Sequence, residues 1–223
     1  MHRHGALLIV DNTFMTPYLQ RPLELGADIT VQSATKFLAG HADLLAGVAA
    51  TNDSDLAVQL HRGQLVSGAL LPPIDSYRLL QDVKTLALRL ERQQQNAREL
   101  IDFLSARPEV EQIFYPGSSS EEQAEVQSRQ ARGIGSVFSL LLAEGGDAQA
   151  FARALPIFVN AVSLGGIESL VSLPAHTTHG AYAQEHRDEF GVDDRLVRLA
   201  IGIEDVQDLI AALEIGLKAA FAG

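Results

Sequence analysis

The sequence predicts an α/β fold, in which a parallel-sheet domain is followed by a smaller α+β domain. Three observations lead to this prediction: a strand–helix–strand pattern near the N-terminus, a long helical pattern in the middle, and short strands alternating with helices after it. The first domain is expected to occupy residues 1–80. The second is expected to occupy residues 81–223 and to include the long linking helix.

The N-terminal region has the pattern of a βαβ unit. Residues 6–10 form a continuous apolar run, which is typical of a strand buried on both faces. Thr16 and Pro17 then resemble the cap and the first residue of a short helix, which Gly26 closes. Residues 27–32 form the second strand. Two strands joined by a helix in this way run parallel.

The middle of the chain predicts one long helix that links the two domains. Residues 76–105 carry apolar side chains at helical spacing, with arginine, glutamate and glutamine between them. At 1.5 Å per residue the helix would be about 45 Å long, and it would end before Pro108. The elements expected after it are strands near 112–115, 136–142 and 196–203, a loop and helix within 118–130, and helices at 147–155 and 205–221.

Composition excludes several classes of function. The 223 residues carry a formal net charge of -11, so nucleic acid and anionic membranes are unfavourable partners, although a small anion can still bind at a local positive site. The chain has no cysteine, which excludes disulfides, thiolate catalysis and Cys-type zinc sites. No apolar run approaches the length of about 18 residues that a membrane span needs. We expect a cytoplasmic protein.

Polar residues follow both predicted parallel strands. Asp11 comes directly after the first strand, and Ser33, Thr35 and Lys36 come directly after the second. Ligands of open α/β sheets bind at this edge. A lysine amine forms a Schiff base with an aldehyde, and pyridoxal phosphate (PLP) is the aldehyde that proteins most often use in this way. PLP also requires a carboxylate at its ring nitrogen and donors for its phosphate, so the pattern indicates a PLP site.

Five motifs carry a resemblance to a known family. They are DNTF at 11–14, SATKFLAGH at 33–41, SLGGIESL at 163–170, PAHTTH at 174–179 and LVRLAIGIED at 196–205. In this order they resemble the Cys/Met-metabolism family of PLP-dependent enzymes, which includes cystathionine γ-synthase, cystathionine β- and γ-lyases and methionine γ-lyase. The resemblance implies the C-terminal part of an aminotransferase-like (fold type I) PLP-binding domain, followed by the small domain.

The resemblance also implies roles for individual residues. Lys36 matches the lysine that binds PLP covalently, and Asp11 matches the partner of the pyridine nitrogen. Ser33 and Thr35 match residues whose hydroxyls bind the cofactor phosphate. Arg198 matches the arginine that binds the substrate α-carboxylate. Ser163 matches a position beside the lysine and the substrate. An arginine suits its role because its planar donors match a carboxylate.

The implied reaction is γ-elimination at a sulfur amino acid, through Schiff-base intermediates with Lys36. Val162 stands where many members that act on cystathionine have a glutamate, which indicates a preference for methionine or homocysteine over cystathionine. One alternative is γ-replacement, of the cystathionine γ-synthase or O-acylhomoserine sulfhydrylase type. The family further implies a homo-oligomer, arranged as a dimer of dimers.

Structural roles remain alternatives for the candidate residues. They are a turn for Asp11, helix caps for Ser33 and Thr35, an ion pair with Glu204 or Asp205 for Arg198, and a loop hydrogen bond for Ser163. His176 and His179 are three residues apart, but Pro174 indicates a loop and no acidic third ligand is nearby. We therefore predict no metal site.

Some expected parts of a complete site are absent from the sequence. In the family, a Gly-containing phosphate turn, an aromatic side chain on the cofactor ring, and groups from a neighbouring subunit lie upstream of the DNTF motif. The sequence therefore resembles the C-terminal part of a longer enzyme. We expect these 223 residues alone to bind PLP weakly and to be nearly inactive. The alternative of another class is a non-catalytic fragment that keeps the fold.

Overall fold

A computed structural model describes residues 4–118 and 120–222, except for the side chain of Asp188. The first elements are β1 (Ile9–Asp11), α1 (Thr16–Leu19), β2 (Ile29–Ser33), β3 (Gly47–Ala50), α2 (Ser54–Ser67) and α3 (Pro73–Asp82). The later elements are α4 (Leu86–Ser105), β4 (Val110–Phe114), α5 (Glu121–Gln130), β5 (Val137–Leu142), α6 (Ala148–Ala154), β6 (Val159–Asn160), β7 (Leu170–Ser172), α7 (Gln184–Glu189), β8 (Leu196–Ala200) and α8 (Val206–Ala220). Short 3-10 segments occupy Pro22–Leu25, Val83–Thr85 and Pro174–His176.

The strands form two sheets. In the first, β1 pairs with β2 in parallel, with Asp11 opposite Val31, and β3 adds antiparallel to β2. The predicted βαβ unit is therefore confirmed, whereas β3 and α2 were not predicted. The second sheet has the order β4-β5-β8-β7-β6, in which β6 and β7 are parallel and the other neighbours are antiparallel. This arrangement confirms a mixed fold of sheets and helices.

Two apolar clusters share the helix α4. Its C-terminal half, with Leu100 and Leu104, packs with α6, α8 and one face of the second sheet. Its N-terminal half, with Leu86 and Leu90, packs on Phe37, which directly follows Lys36. Full burial of one such side chain stabilises the fold by about 1.5–3 kcal/mol. The helix therefore fixes the segment around Lys36 to the rest of the chain. The domain boundary at residue 80 remains a prediction.

The prediction of one unbroken helix over 76–105 was wrong. A 3-10 turn at Val83–Thr85 separates α3 from α4, and Leu86 N–H bonds to Val83 O. The carbonyl of Asp82 accepts hydrogen bonds from the Thr85 hydroxyl (3.0 Å) and from Arg89 Nη2 (3.0 Å). Because these side chains bind a carbonyl that a continuous helix would use internally, the helix is interrupted here.

The N-terminal strand is less buried than its apolar run predicts. Leu7 is 52% exposed and Ile9 is 56% exposed, because β1 is an edge strand of its sheet within the described residues. The first helix also begins at Thr16 rather than at Pro17, and the Thr16 hydroxyl accepts a hydrogen bond from Tyr18 N–H (3.2 Å).

Within 4–118 and 120–222, no helix has the length and apolar character needed to cross a membrane.

Candidate functional site

The carboxylate of Asp11 is held at the end of β1 by Thr13. Asp11 Oδ1 accepts hydrogen bonds from Thr13 N–H (2.9 Å) and from the Thr13 hydroxyl (2.6 Å). The same hydroxyl accepts a hydrogen bond from Ser33 N–H (2.8 Å), which joins the ends of β1 and β2. Asp11 Oδ2 has no hydrogen-bond partner among the residues described. One oxygen therefore fixes the carboxylate, and the other is available to a ligand.

Lys36 lies in a compact turn directly after β2. Its N–H donates to Ser33 O (3.2 Å), and its carbonyl accepts from Gly40 N–H (2.8 Å). Phe37 and Leu38 are buried on the inner side of this turn, while Lys36 is half-buried. The Lys36 amine donates to the Ser163 hydroxyl (2.9 Å). The turn therefore directs a lysine amine at a loop that lies 127 residues further along the chain.

Arg198, on β8, binds the backbone of the loop that carries Ser163. Its Nη2 donates to Val162 O (2.8 Å) and to Ser163 O (3.2 Å). Burial lowers the pKa of the Arg198 guanidinium, and among the described residues no carboxylate forms an ion pair with it. The alternative pairing with Glu204 or Asp205 does not form. Glu204 accepts from the backbone and hydroxyl of Ser169, and Asp205 accepts from Gln207 N–H at the start of α8. A ligand carboxylate would compensate this partly buried charge.

A cavity of about 740 Å³ opens beside the strand ends. Its lining includes Asp11, Ser33, Gly47, His61 and Gln64, whereas the lining does not include Lys36, Ser163 or Arg198. Thr35 also lies outside the lining, and its hydroxyl accepts from Ala46 N–H (3.0 Å). The structure thus brings the candidate residues into two groups, which the short turn from Ser33 to Lys36 connects.

Arg89, which sequence reasoning missed, supports the turn that carries Lys36. It is only 6% exposed, and it donates to Phe37 O (2.8 Å) and to Leu38 O (3.2 Å). Burial lowers the pKa of this guanidinium, and the charge of Asp82 opposes that effect. Gly40 has a φ of +75°, and a Cβ there would lie 2.1 Å from Arg89 Nη1. The sequence signal was a charged residue on the apolar face of α4.

Thr13 and Gly165 are further contributors that sequence reasoning missed. The D-x-T spacing of Asp11 and Thr13 is the signal of an Asx turn. At Gly165, φ is +84° and an added Cβ would lie 2.6 Å from Phe37 N. Only a glycine lets the loop of Ser163 approach the Lys36 turn this closely. The Gly-Gly pair of the SLGGIESL motif was the available signal.

Known proteins resemble this chain along most of its length. The family model for the Cys/Met metabolism PLP-dependent enzymes matches residues 1–218. Cystathionine gamma-lyase of Bacillus subtilis is 45% identical over 206 residues, which are 92% of this chain and 54% of that protein. L-Methionine gamma-lyase of Pseudomonas deceptionensis is 46% identical over 222 residues, which are 98% of this chain and 55% of that protein.

A solved structure extends the comparison to three dimensions. Cystathionine gamma-lyase of Lactobacillus plantarum, complexed with L-serine, superposes with a TM-score of 0.94 at 37% identity. The alignment covers 98% of this chain and 57% of that one. The chain thus spans little more than half the length of the relatives that it matches. The match of the family model and the identities above 40% show that this chain belongs to the Cys/Met metabolism family of PLP-dependent enzymes.

Proposed function

We propose that this chain supplies the lysine, the ring-nitrogen carboxylate and the substrate-binding arginine of an enzyme for γ-elimination at a sulfur amino acid. The substrate is methionine or homocysteine, or alternatively cystathionine. The contact between the Lys36 amine and the Ser163 hydroxyl supports this most strongly, at 2.9 Å. Arg198 binds the backbone of the same loop, so an amine and a guanidinium flank one loop.

The residues at the strand ends fit PLP by their chemistry. The free Oδ2 of Asp11 can accept a hydrogen bond from a protonated pyridine nitrogen. Ser33 lies at the same edge of the sheet and lines the cavity with Asp11, and its hydroxyl and that of Thr35 would bind the phosphate. Lys36 would be the point of covalent attachment. When bound, PLP acts as an electron acceptor for negative charge that develops on the substrate.

The residues of this chain would then act on the substrate in sequence. Arg198 would bind the α-carboxylate through the guanidinium donors that its Nη2 contacts with the loop leave available. The Lys36 amine would accept the proton from Cα and move it. Its hydrogen bond to Ser163 restricts the direction in which the amine points. Loss of a proton from Cβ would then accompany departure of the sulfur substituent from Cγ as a thiol, and addition of water would give a 2-oxo acid and ammonia.

Two other functions remain candidates on chemical grounds. Capture of the activated substrate by a thiol would give γ-replacement, as in a synthase. A non-catalytic fragment would keep the fold without completing a site. We also propose a homo-oligomer built as a dimer of dimers, which the family membership supports. We propose that it is cytoplasmic, which the absence of cysteine supports.

Borohydride trapping tests the attachment of PLP. The purified chain is incubated with pyridoxal phosphate, reduced, and digested for peptide mapping. We expect label at Lys36 in clear excess over Lys84 and Lys218, which are the other two lysines, and both are exposed. Lys36→Ala should remove the excess without new label elsewhere. Label distributed evenly over the three lysines would refute the assignment and favour a non-catalytic fragment.

Substitution of Val162 tests the choice of substrate. Val162 is 56% exposed and its carbonyl accepts from Arg198, so its side chain would lie beside an amino acid bound by Arg198. An apolar residue offers nothing to the distal ammonium of cystathionine. In the complete enzyme subunit, Val162→Glu should raise kcat/KM for cystathionine relative to methionine by about fivefold, because a partly exposed ion pair is worth roughly 1 kcal/mol.

Val162→Gln is the matched control, because it has the same length without the charge. We expect it to leave the ratio of the two kcat/KM values near that of the wild type. A wild type that already prefers cystathionine, and whose preference Val162→Glu does not change, would remove Val162 from the set of specificity residues.

A further inference from the structure

One face of α4 carries buried polar side chains in the middle of an otherwise apolar contact. Gln93 and Asn96 are both 0% exposed, and Arg89 is 6% exposed. The spacings of four and three residues place all three on the same face of the helix. Burial of polar groups is unfavourable unless they form hydrogen bonds. The hydrogen-bond partners of these three side chains therefore indicate the role of this face of the helix.

Each of the three side chains binds a different segment of the candidate site. Arg89 binds the carbonyls of Phe37 and Leu38, directly after Lys36. Gln93 Nε2 donates to Gly166 O (2.7 Å), three residues after Ser163. Asn96 Nδ2 donates to Gly202 O (3.1 Å) and Glu204 O (2.9 Å), directly after the strand of Arg198. These bonds span between 51 and 108 residues of sequence.

The two amides bind only through their donors. Gln93 Oε1 and Asn96 Oδ1 are buried and have no hydrogen-bond partner among the described residues. An unpaired buried acceptor costs about 1–3 kcal/mol. Any favourable contribution of Gln93 and Asn96 to the fold therefore comes from the hydrogen bonds that they donate to the site segments.

Gln93 acts on the middle one of the three segments. The loop that it binds also contacts its two neighbours, because Ile167 N–H donates to Gly40 O (3.0 Å) and Ile203 N–H donates to Ile167 O (2.9 Å). The position of this loop decides whether the Ser163 hydroxyl meets the Lys36 amine. We propose that Gln93 is a positioning residue, which holds the Ser163 loop against the Lys36 turn through Gly166 O. Its effect on the Lys36 amine rests on the function proposed above.

The helix itself provides matched controls for a test. Gln94, the next residue, is 6% exposed and accepts from Gly135 N–H (3.3 Å), which precedes β5 and is not part of the Ser163 loop. Gln95 is exposed and donates to Glu99 (3.2 Å). Leucine at each of the three positions removes a carboxamide at similar volume. Only the change at Gln93 removes a bond to the Ser163 loop.

Amide hydrogen exchange reads the loop directly. We expect Gln93→Leu to accelerate exchange at Ile167 and Ile203 by about tenfold or more relative to the amides of β5 and β8, because local opening of the loop becomes easier. Gln94→Leu and Gln95→Leu should leave these ratios near the wild-type values. Equal acceleration in Gln93→Leu and Gln94→Leu would show a general loss of stability and overturn the proposal, as would no acceleration in Gln93→Leu.

Borohydride labelling with pyridoxal phosphate separates this inference from the proposed function. If the wild type labels Lys36 selectively, Gln93→Leu should reduce the ratio of Lys36 to Lys84 label by at least threefold, and Gln93→Asn should not restore it, because its amide is shorter. Unchanged selectivity in Gln93→Leu would overturn the inference while the proposed function stands. If the wild type shows no selectivity, the proposed function fails, and the exchange ratios still decide the role of Gln93.

Discussion

Arg89→Met should lower the free energy of unfolding by about 3–5 kcal/mol, because it leaves buried backbone acceptors without a donor. The guanidinium binds the carbonyls of Phe37, Leu38 and Asp82 at 2.8, 3.2 and 3.0 Å. Methionine fills much of the same volume but donates no hydrogen bond. For a chain of this size, a loss of about 3 kcal/mol corresponds to a decrease of roughly 6–12 °C in Tm. Thermal unfolding followed by circular dichroism measures it.

Arg98→Met is the matched control, because Arg98 is an exposed arginine on the same helix. Exposed substitutions of this kind usually change stability by less than about 0.5 kcal/mol. Arg89→Lys should fall between the two, since it keeps the charge but loses the planar donors. Equal melting temperatures for Arg89→Met and Arg98→Met would mean that water replaces the lost donors, and that Arg89 does not support the turn of Lys36.

The strand ends of the candidate site were predictable from the sequence. The two predicted strands end directly before Asp11 and Ser33, and their parallel pairing brings these residues to one edge of the sheet. The pairing itself follows from the short helix between the strands, which is a local feature. The sequence also indicated Lys36, Ser163 and Arg198, and the hydrogen bonds now connect these three residues.

The polar face of α4 was not predictable in the same way. Helical periodicity indicates which side of a helix is buried, but it does not identify the partner of a buried arginine or amide. The long-range partners of Arg89, Gln93 and Asn96 are backbone carbonyls 51–108 residues away, and every residue type has such a carbonyl. The interruption between α3 and α4 has the same origin, since it depends on the long side chain of Arg89.

The short strands β6 and β7 of the second sheet were also not predictable from the sequence. β6 has two residues and β7 has three, which is too short for alternation to be read. They are strands because β8 and its neighbours supply partners for their backbone groups. Pairing between distant segments, rather than local propensity, determines them.

Gly165→Ala should displace the Ser163 loop and abolish selective labelling of Lys36. The residue has φ +84°, and a Cβ there would lie 2.6 Å from Phe37 N and 3.0 Å from the carbonyl carbon of Lys36. Both obstacles are backbone atoms of a buried turn, so neither can rotate away. The conformational strain alone costs roughly 1–2 kcal/mol. The steric conflict adds to it, so we expect a total loss of about 3 kcal/mol or more.

Gly145→Ala separates the two contributions. Gly145 has φ +86°, nearly the same as Gly165, but an added Cβ there meets nothing within 4 Å. It should therefore show the conformational cost alone, about 1–2 kcal/mol, and should keep the excess of Lys36 label after borohydride reduction. Urea unfolding and peptide mapping of both variants make the comparison. Equal losses of stability and equal labelling of Lys36 in the two alanine variants would mean that the loop accommodates the added Cβ at no extra cost. Close contact at Gly165 would then not position Ser163 beside the lysine.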